Sequence, residues 1–317
     1  MLIFTFANSL INKMTSINIK NLSKSYSTTQ AVQHLSLEVK KGELFGLIGP
    51  DGAGKTTVFR MLTTLILPDE GSATVEGYDI VRDYKQIRNC VGYMPGRFSL
   101  YQDLTVQENL TFFATVFGTT IEQNYSLIKD IYEQIKPFSN RRAGKLSGGM
   151  KQKLALCCTL IHKPKVLFLD EPTTGVDVVS RKEFWEMLKK LKEQGISILV
   201  STPYMDEASL CDRIALMQAG KILSTSTPEQ IIAQYPTALY AIKAPNLYAL
   251  LQHLREHPNI DSCYPFGEYL HLTLKEDTNI TLFQQQLKTT FPHLDWKAIT
   301  PTIEDSFIRL MEEKGNI

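Results

Sequence analysis

The chain has 317 residues, a length that predicts two domains rather than one. Hydrophobic residues make up 43% of it and charged residues 21%, proportions that are typical of globular proteins and argue against a disordered or mostly membrane-embedded chain. The formal net charge of +1 provides no long-range field that would gather nucleic acid or an anionic bilayer. A nucleic-acid-binding role is therefore disfavoured, and any partner has to be recognised at a local site.

Residues 1–11 form an apolar opening stretch that has no basic region and no small-residue cleavage site. This stretch is too short to cross a bilayer, and no later run approaches the roughly 20 apolar residues of a transmembrane helix. We interpret residues 1–13 as an N-terminal extension ahead of a domain that starts at Met14. A short helix on a membrane surface is the alternative. The five cysteines show no metal-ligand spacing, which favours free thiols in a reducing compartment.

The first half of the chain predicts strands, a glycine loop and then helices. Apolar and alternating segments predict strands at residues 17–19, 35–39 and 44–48, and a glycine loop leads into a predicted helix at residues 55–65. From residue 105 to residue 136 the apolar positions recur at helical spacing, which predicts an inserted helical subdomain.

Helices and strands alternate in the next part of the chain. The pattern predicts a helix at residues 150–161, a buried strand at 166–169, a helix at 180–194 and a strand at 196–200. This alternation predicts an α/β domain, residues 14–234, with a parallel sheet that carries helices on its faces.

The pattern changes after about residue 234. Three short strand-like segments alternate with two helical segments, which predicts a small α+β domain at residues 235–317. The predicted strands are 238–242, 264–265 and 269–274, and the predicted helices are 247–256 and 282–290. There is no internal repeat, so one nucleotide-binding module is expected.

A phosphate-binding loop is the strongest motif. It matches G-x-x-x-x-G-K-S/T between a predicted strand and a predicted helix. Its glycines allow successive backbone N–H groups to face phosphates, Lys55 reaches the outer phosphates, and the Thr56 hydroxyl can ligate Mg²⁺. The candidate nucleotide-binding residues here are Gly49, Pro50, Asp51, Gly52, Ala53, Gly54, Lys55, Thr56 and Thr57. The motif alone does not separate a kinase, a GTPase and a motor.

Two adjacent carboxylates follow the predicted strand at residues 166–169. They stand at the carboxyl end of a parallel strand, the edge of the sheet at which ligands bind in α/β proteins. This placement predicts that Asp170 holds Mg²⁺ and that Glu171 is the catalytic residue that orients or deprotonates the attacking water. A solvated acidic turn is the alternative interpretation.

A third motif, Leu146, Ser147, Gly148 and Gly149, begins a predicted helix. A hydroxyl and two glycines at that position can present backbone N–H groups to an anion. Taken alone, the same residues are also typical of an ordinary helix cap.

Together the three motifs resemble the ABC transporter ATPase family over about residues 16–228. The resemblance implies a P-loop ABC ATPase domain with a helical signature subdomain, in which ATP and Mg²⁺ bind between two ATPase subunits. It implies that the signature Leu146 to Gly149 contacts the nucleotide held by the partner, although Met150 stands where the family usually has Gln. It also implies that Tyr26 stacks on adenine and that Asp177 lies at the dimer contact.

Two positions depart from the family, and both fall where the γ-phosphate is expected. Gly96 replaces a Gln that touches Mg²⁺, the attacking water and the membrane subunit, and Pro203 replaces a His that donates to the γ-phosphate. One lost donor of this kind costs about a hundredfold to a thousandfold in rate, so slow hydrolysis is expected. We therefore favour an asymmetric heterodimer in which this chain completes a competent site in its partner. A homodimer is the alternative.

Residues 301–308 resemble the closing segment of ATPases that power exporters of drugs, antibiotics and polysaccharides. The resemblance implies integral-membrane permease subunits as partners, a location on the cytoplasmic face of the plasma membrane, and a ferredoxin-like C-terminal accessory domain. Two alternatives remain. One is a subunit that binds nucleotide but hydrolyses little, and the other is a non-transport ABC ATPase, which the absence of coiled-coil heptads and of a basic surface excess disfavours.

Overall fold

The computed structural model describes residues 14–313. These residues fall into two compact units, the first reaching Glu229 and including the residues from Leu310 onward, the second comprising Gln230–Arg309. The expected N-terminal extension, residues 1–13, lies outside the described residues. Within residues 14–313, none of the helices has the length and apolar character needed to span a membrane.

The first unit contains two β-sheets and a set of helices. Its strands are β1 Thr15–Tyr26, β2 Thr29–Lys40, β3 Leu44–Ile48, β4 Glu70–Val75, β5 Tyr78–Asp79, β6 Val91–Met94, β7 Val166–Asp170, β8 Ser197–Thr202, β9 Arg213–Gln218 and β10 Lys221–Ser226. Its α-helices are α1 Lys55–Leu62, α2 Tyr84–Cys90, α3 Val106–Val116, α4 Tyr125–Ile135, α5 Gly148–Leu160 and α6 Val178–Glu193, while α7 Pro228–Ala233 crosses into the second unit.

The central sheet has the strand order β10-β9-β3-β8-β7-β6. The five strands from β9 to β6 run parallel, and only β10 pairs antiparallel at the edge. Strands β3, β7 and β8 are buried at every residue, as expected for strands covered on both faces. The predicted parallel sheet is therefore confirmed. A second, antiparallel sheet has the order β2-β1-β4-β5.

The predicted helical subdomain consists of α3, α4 and α5, with short 3₁₀ turns at Lys136–Phe138 and Ala143–Lys145. A reciprocal capping box between Thr105 and Glu108 fixes the start of α3, because each side chain satisfies a backbone N–H of the other residue. Helix α4 turns its isoleucines inward and packs on α5. The helical pattern over residues 105–136 is therefore two helices with a turn between them.

The second unit is a four-stranded sheet with helices. Its elements are β11 Leu239–Lys243, α8 Leu247–Arg255, β12 Ile260–Phe266, β13 Tyr269–Leu274, α9 Ile280–Thr290, β14 Asp295–Ile299 and most of α10, Ile303–Glu313. The sheet order is β12-β13-β11-β14, and every pair is antiparallel. Leucines of α8 and α9 bury one face of it. The element order β-α-β-β-α-β is the one that a ferredoxin-like sandwich requires.

Candidate nucleotide site

The loop between β3 and α1 is shaped by its glycines. Gly54 has a backbone φ of +104°, and a Cβ at this position would lie 2.2 Å from the Ala31 carbonyl oxygen. Only glycine fits such a conformation and such a contact. Gly54 directly precedes α1, so the loop leads into the N-terminus of this helix. Unpaired backbone N–H groups at that end favour an anion.

Lys55 is the first residue of α1 and is only 3% exposed. Its Nζ donates to the carbonyl oxygens of Gly49, at 2.7 Å, and Pro50, at 3.0 Å. The same Nζ lies 3.2 Å from Oε1 of Glu171. The structure therefore brings the lysine of the loop together with the second of the two predicted carboxylates.

Asp170 ends strand β7 and is 3% exposed. Its Oδ1 accepts a 2.7 Å hydrogen bond from the hydroxyl of Ser201, the residue opposite it on β8. Glu171 follows with a φ of +50°, and its N–H donates to the carbonyl and hydroxyl oxygens of Ser201. The sequence motifs did not single out Ser201, although a serine at the end of an apolar strand was a usable signal.

Gly96 and Pro203, the two positions that depart from the family, adjoin these carboxylates. A Cβ at Gly96 would lie 3.0 Å from the Asp170 carbonyl oxygen and 3.7 Å from the Glu171 Cβ. Pro203 follows directly after the last residue of β8, whose carbonyl oxygen accepts from the N–H of Gly49. Both departures therefore lie at the sheet edge that holds the predicted site.

The signature residues lie at the start of α5. The Ser147 side chain caps this helix by accepting from the N–H of Met150 at 3.4 Å, and Ser147 and Gly148 are exposed. Gly149 is buried against α6, because a Cβ there would lie 2.6 Å from Oγ of Ser180. Leu146 is buried in the helical subdomain.

Asp177 caps the neighbouring helix α6 by accepting from the N–H of Ser180 at 3.0 Å. The hydrogen bonds from Ser180 lower the pKa of Asp177 below its ordinary value. The next two residues, Val178 and Val179, are 78% and 68% exposed. The signature and the Asp177 segment thus meet within one chain, whereas within residues 14–313 no hydrogen bond or ion pair joins the signature to Lys55.

Tyr26 is 43% exposed at the end of β1, where it faces Thr29 across a hairpin. Tyr93 on β6 is a further polar group near the carboxylates that the motifs did not indicate. Burial, with the negative charge of Asp170 as a second cause, raises the pKa of Tyr93 to about 12. The phenol is therefore harder to ionise than an ordinary tyrosine, and its hydroxyl can serve as a hydrogen-bond donor.

The donor set fits Mg-nucleotide. Mg²⁺ in such sites takes one or two protein oxygens and completes its shell with phosphate oxygens and waters. The Thr56 hydroxyl and the Asp170 carboxylate are oxygens of that kind, and Lys55 with the N-terminus of α1 provides the positive charge that phosphates need. Residues 14–313 contain no cluster of three or more His, Cys, Asp or Glu side chains that could hold a metal ion. The Mg²⁺ of this site would therefore take its remaining ligands from phosphate and water.

A cavity of about 460 Å³ lies between the helical subdomain and the carboxyl end of β6. Its lining is mostly apolar and includes Pro95, the residue before Gly96, as well as the exposed side chains of Leu65 and Phe117. His162 also lines the cavity and stacks on Phe117 at 3.9 Å. Its Nδ1 is buried and has no hydrogen-bond partner within residues 14–313. The cavity therefore offers a mostly apolar surface.

Residues 32–174 match the ABC transporter family. The probable multidrug ABC transporter ATP-binding protein YbhF of Escherichia coli is 40% identical over 290 residues, which cover 90% of this chain and 50% of YbhF, so the chain spans about half the length of that relative. Nod factor export ATP-binding protein I of Burkholderia orbicola is 38% identical over 301 residues, covering 93% of this chain and 96% of that protein. A solved ATP-binding subunit of an ABC transporter is similar with a TM-score of 0.64 and 26% identity, covering 70% of this chain and 93% of that one.

Proposed function

Because this chain belongs to the ABC transporter family of ATP-binding proteins, we propose that it is the ATP-binding subunit of an exporter, in which binding and hydrolysis of Mg-ATP drive transport by separate membrane subunits. The contact of the buried Lys55 ammonium with the Glu171 carboxylate, 3.2 Å away, carries this proposal. It joins the phosphate-binding loop to the group that would act on water.

Each residue of the site has a proposed role that follows from its position. Lys55 and the N-terminus of α1 hold the phosphates, and Tyr26 provides an exposed ring for the adenine base. Thr56 and Asp170 would hold Mg²⁺, which when bound neutralises charge on the terminal phosphates. Glu171 orients the attacking water and accepts its proton.

We propose that a second ATPase subunit completes the site. Ser147 and Gly148 are exposed at the start of α5, where backbone N–H groups and a hydroxyl can meet a phosphate bound elsewhere. Asp177 and the exposed valines after it provide the adjoining contact surface. In this proposal the N-terminus of α5 binds the phosphates of the partner's nucleotide and therefore needs no contact with Lys55 of its own chain.

Gly96 and Pro203 favour slow hydrolysis at the site that this chain builds with Glu171. Neither residue provides a side-chain donor, and both adjoin the carboxylates. Our preferred arrangement is an asymmetric heterodimer, in which Ser147 of this chain serves the competent site of its partner. A homodimer with slow turnover is the other arrangement.

The membrane partner is proposed to be an integral-membrane permease, with this chain bound to it at the cytoplasmic face of the plasma membrane. We propose that a cytoplasmic helix of this permease fills the apolar cavity next to Gly96. The cavity is lined by Pro95, which directly precedes Gly96, and its mostly apolar lining suits the apolar face of a helix. The similarity to Nod factor export ATP-binding protein I supports outward transport. We also propose that the second unit, Gln230–Arg309, is an accessory domain.

The first experiment measures Mg-ATP hydrolysis by the purified chain, with nucleotide binding checked in the same samples. We expect slow turnover by the wild type, none by Glu171→Gln, and a gain of about tenfold or more for Pro203→His because it restores a donor at the site. Lys55→Ala is the control that should lose nucleotide binding itself. Wild-type turnover that Glu171→Gln does not reduce would contradict the proposed catalytic role.

The heterodimer is tested by adding a sister ATPase subunit encoded beside this one. Activity of the mixture should depend on Ser147 of this chain and not on its Glu171, because the two residues serve different sites. Equal dependence on both residues would instead indicate two equivalent sites.

A further inference from the structure

Glu207 is a buried carboxylate to which the proposed site has not yet given a role. It lies in the 3₁₀ segment Met205–Leu210 and is only 2% exposed. Removing a carboxylate from water is costly unless several donors replace its hydration. The positions of those donors therefore show which parts of the chain the carboxylate holds.

Three different segments donate to Glu207. The Thr202 hydroxyl donates to Oε2 at 2.5 Å, and the Thr173 hydroxyl donates to the same oxygen at 3.0 Å. The Nε–H of Arg181 donates to Oε1 at 3.0 Å. One carboxylate thus joins the end of β8, the loop after β7 and the first turn of α6.

Each of these segments carries a residue of the proposed site. Thr173 follows Glu171 by two residues, and Thr202 directly precedes Pro203. The N–H of Arg181 donates to the carbonyl oxygen of Asp177 at 2.9 Å. Glu207 is therefore connected by one hydrogen bond to each of three segments: the end of β8, the loop that carries Glu171 and the start of α6.

The segment around Pro203 is fixed by the same contacts. The Thr202 hydroxyl accepts from the N–H of Tyr204 at 3.1 Å while it donates to Glu207. The Arg181 guanidinium lies 4.3 Å from the Tyr204 ring centre, and it also contacts the exposed Asp206 at 3.2 Å. Pro203 thus lies between Thr202 and Tyr204, whose positions are fixed by these contacts. The backbone is therefore fixed at the position where Pro203 provides no side-chain donor.

We propose that Glu207 is a positioning residue for ATP hydrolysis, which holds the Glu171 loop, the end of β8 and the Asp177 segment in one fixed arrangement. The inference rests on the proposed function, because it assumes that Glu171 acts on water. Glu207 acts through Thr173 and Arg181, so that contact of the Asp177 segment with a second subunit is transmitted to Glu171.

The test compares Glu207→Gln with Asp206→Asn, a matched loss of one carboxylate charge beside the same guanidinium. Single-turnover cleavage of γ-labelled ATP by an excess of the full chain measures the chemical step even where turnover is slow. Glu207→Gln should slow cleavage about ten- to a hundredfold, because a small displacement of a catalytic group has an effect of this size. The dissociation constant of ATP should stay within about twofold, and Asp206→Asn should cleave at the wild-type rate.

A second pair of variants covers the case in which Glu207→Gln fails to fold. Thr173→Val removes one donor and keeps the shape of the side chain, whereas Thr173→Ser keeps the hydroxyl. We expect slow cleavage for the valine variant and recovery for the serine variant, with equal ATP affinity.

Three outcomes would overturn the proposal. One is wild-type cleavage by Glu207→Gln, and another is equal cleavage by the two Thr173 variants. The third is a parallel loss of cleavage, ATP affinity and thermal stability, which indicates a purely structural role. If the wild-type chain itself cleaves no ATP, the hydrolytic activity in the proposed function is contradicted. The positioning role of Glu207, which depends on that activity, is then contradicted as well.

Discussion

Asp305, at the start of α10, is buried completely in the second unit. The Thr302 N–H and hydroxyl donate to its Oδ2 at 2.7 and 2.6 Å. Its Oδ1 lies 2.5 Å from Nδ1 of His271 and accepts from the Tyr264 hydroxyl at 2.8 Å. Burial acts to raise the pKa of Asp305, but the hydrogen bonds from Thr302, His271 and Tyr264 together outweigh it and lower the pKa below its ordinary value of 3.8.

Asp305→Asn should lower the free energy of unfolding by about 3 kcal/mol at pH 7, because it leaves buried donors without their charged acceptor. A carboxylate whose pKa is lowered by folding stabilises the protein above its unfolded-state pKa, and the stabilisation is lost as the pH falls through its folded-state pKa. The difference between wild type and variant should therefore shrink below about pH 3.8. Urea unfolding followed by circular dichroism at pH 7 and pH 3 measures it.

The control for this prediction is Glu268→Gln in the same unit. Glu268 is an exposed carboxylate that pairs with Lys243 at 2.7 Å. Exposed pairs contribute little to stability, so the unfolding midpoint should not change. Equal effects of the two variants would show that the buried network around Asp305 does not stabilise the unit.

At the scale of elements, the packing of α5 on α6 depends on one of the two signature glycines more than on the other. A Cβ at Gly149 would lie 2.6 Å from Oγ and 2.8 Å from Cβ of Ser180, whereas a Cβ at Gly148 would meet only the Gly175 carbonyl oxygen at 3.4 Å. Distances below 3 Å force the helices apart, and 3.4 Å is ordinary contact. The two glycines therefore differ in their structural role even though they are neighbours.

Gly149→Ala should destabilise the first unit by about 1–3 kcal/mol, the usual cost of overpacking, while Gly148→Ala should remain within about 1 kcal/mol of wild type. Thermal unfolding of the two variants measures the difference. Since α1 and its loop are not part of this contact, ATP affinity should be retained in both. Equal stability of the two variants would contradict the close approach of α5 and α6.

The elements that sequence reasoning found are those with a strong local pattern. Strands β3, β7 and β8 are continuous apolar runs, so their burial on both faces was predictable. Strand β4 was missed because Glu70, Gly71 and Ser72 have weak strand propensity, and its pairing with β1 joins residues far apart in the chain.

The loop, Asp170 and Glu171 could be located from motifs, but their partners could not. Ser201 reaches Asp170 because β7 and β8 pair in one particular register, and that register is a property of the folded sheet. Glu207 likewise collects donors from segments 5 to 34 residues away in the chain. A local pattern contains no information on such contacts.

At the scale of the whole molecule, the surface around Asp177 is the one that our proposal assigns to contact with another subunit. Val178 and Val179 are 78% and 68% exposed and lie next to each other, beside the exposed Ser147 and Gly148 region of α5. Neighbouring apolar side chains in water, next to phosphate-binding backbone, are typical of a contact surface. The proposed function needs this surface to close on the nucleotide of the partner.

Val178→Asp should therefore prevent ATP-driven association, because a carboxylate would be buried there without a partner charge. The measurement is analytical ultracentrifugation in the Glu171→Gln background with and without Mg-ATP, alone and with the sister subunit. We expect association with Mg-ATP to weaken at least about a hundredfold, which corresponds to about 2.7 kcal/mol. Tyr248→Asp, at a side chain that is 71% exposed in the second unit, is the control and should associate normally. Normal association of Val178→Asp would place the subunit contact elsewhere on the molecule, and equal loss in both variants would indicate a general effect of added charge.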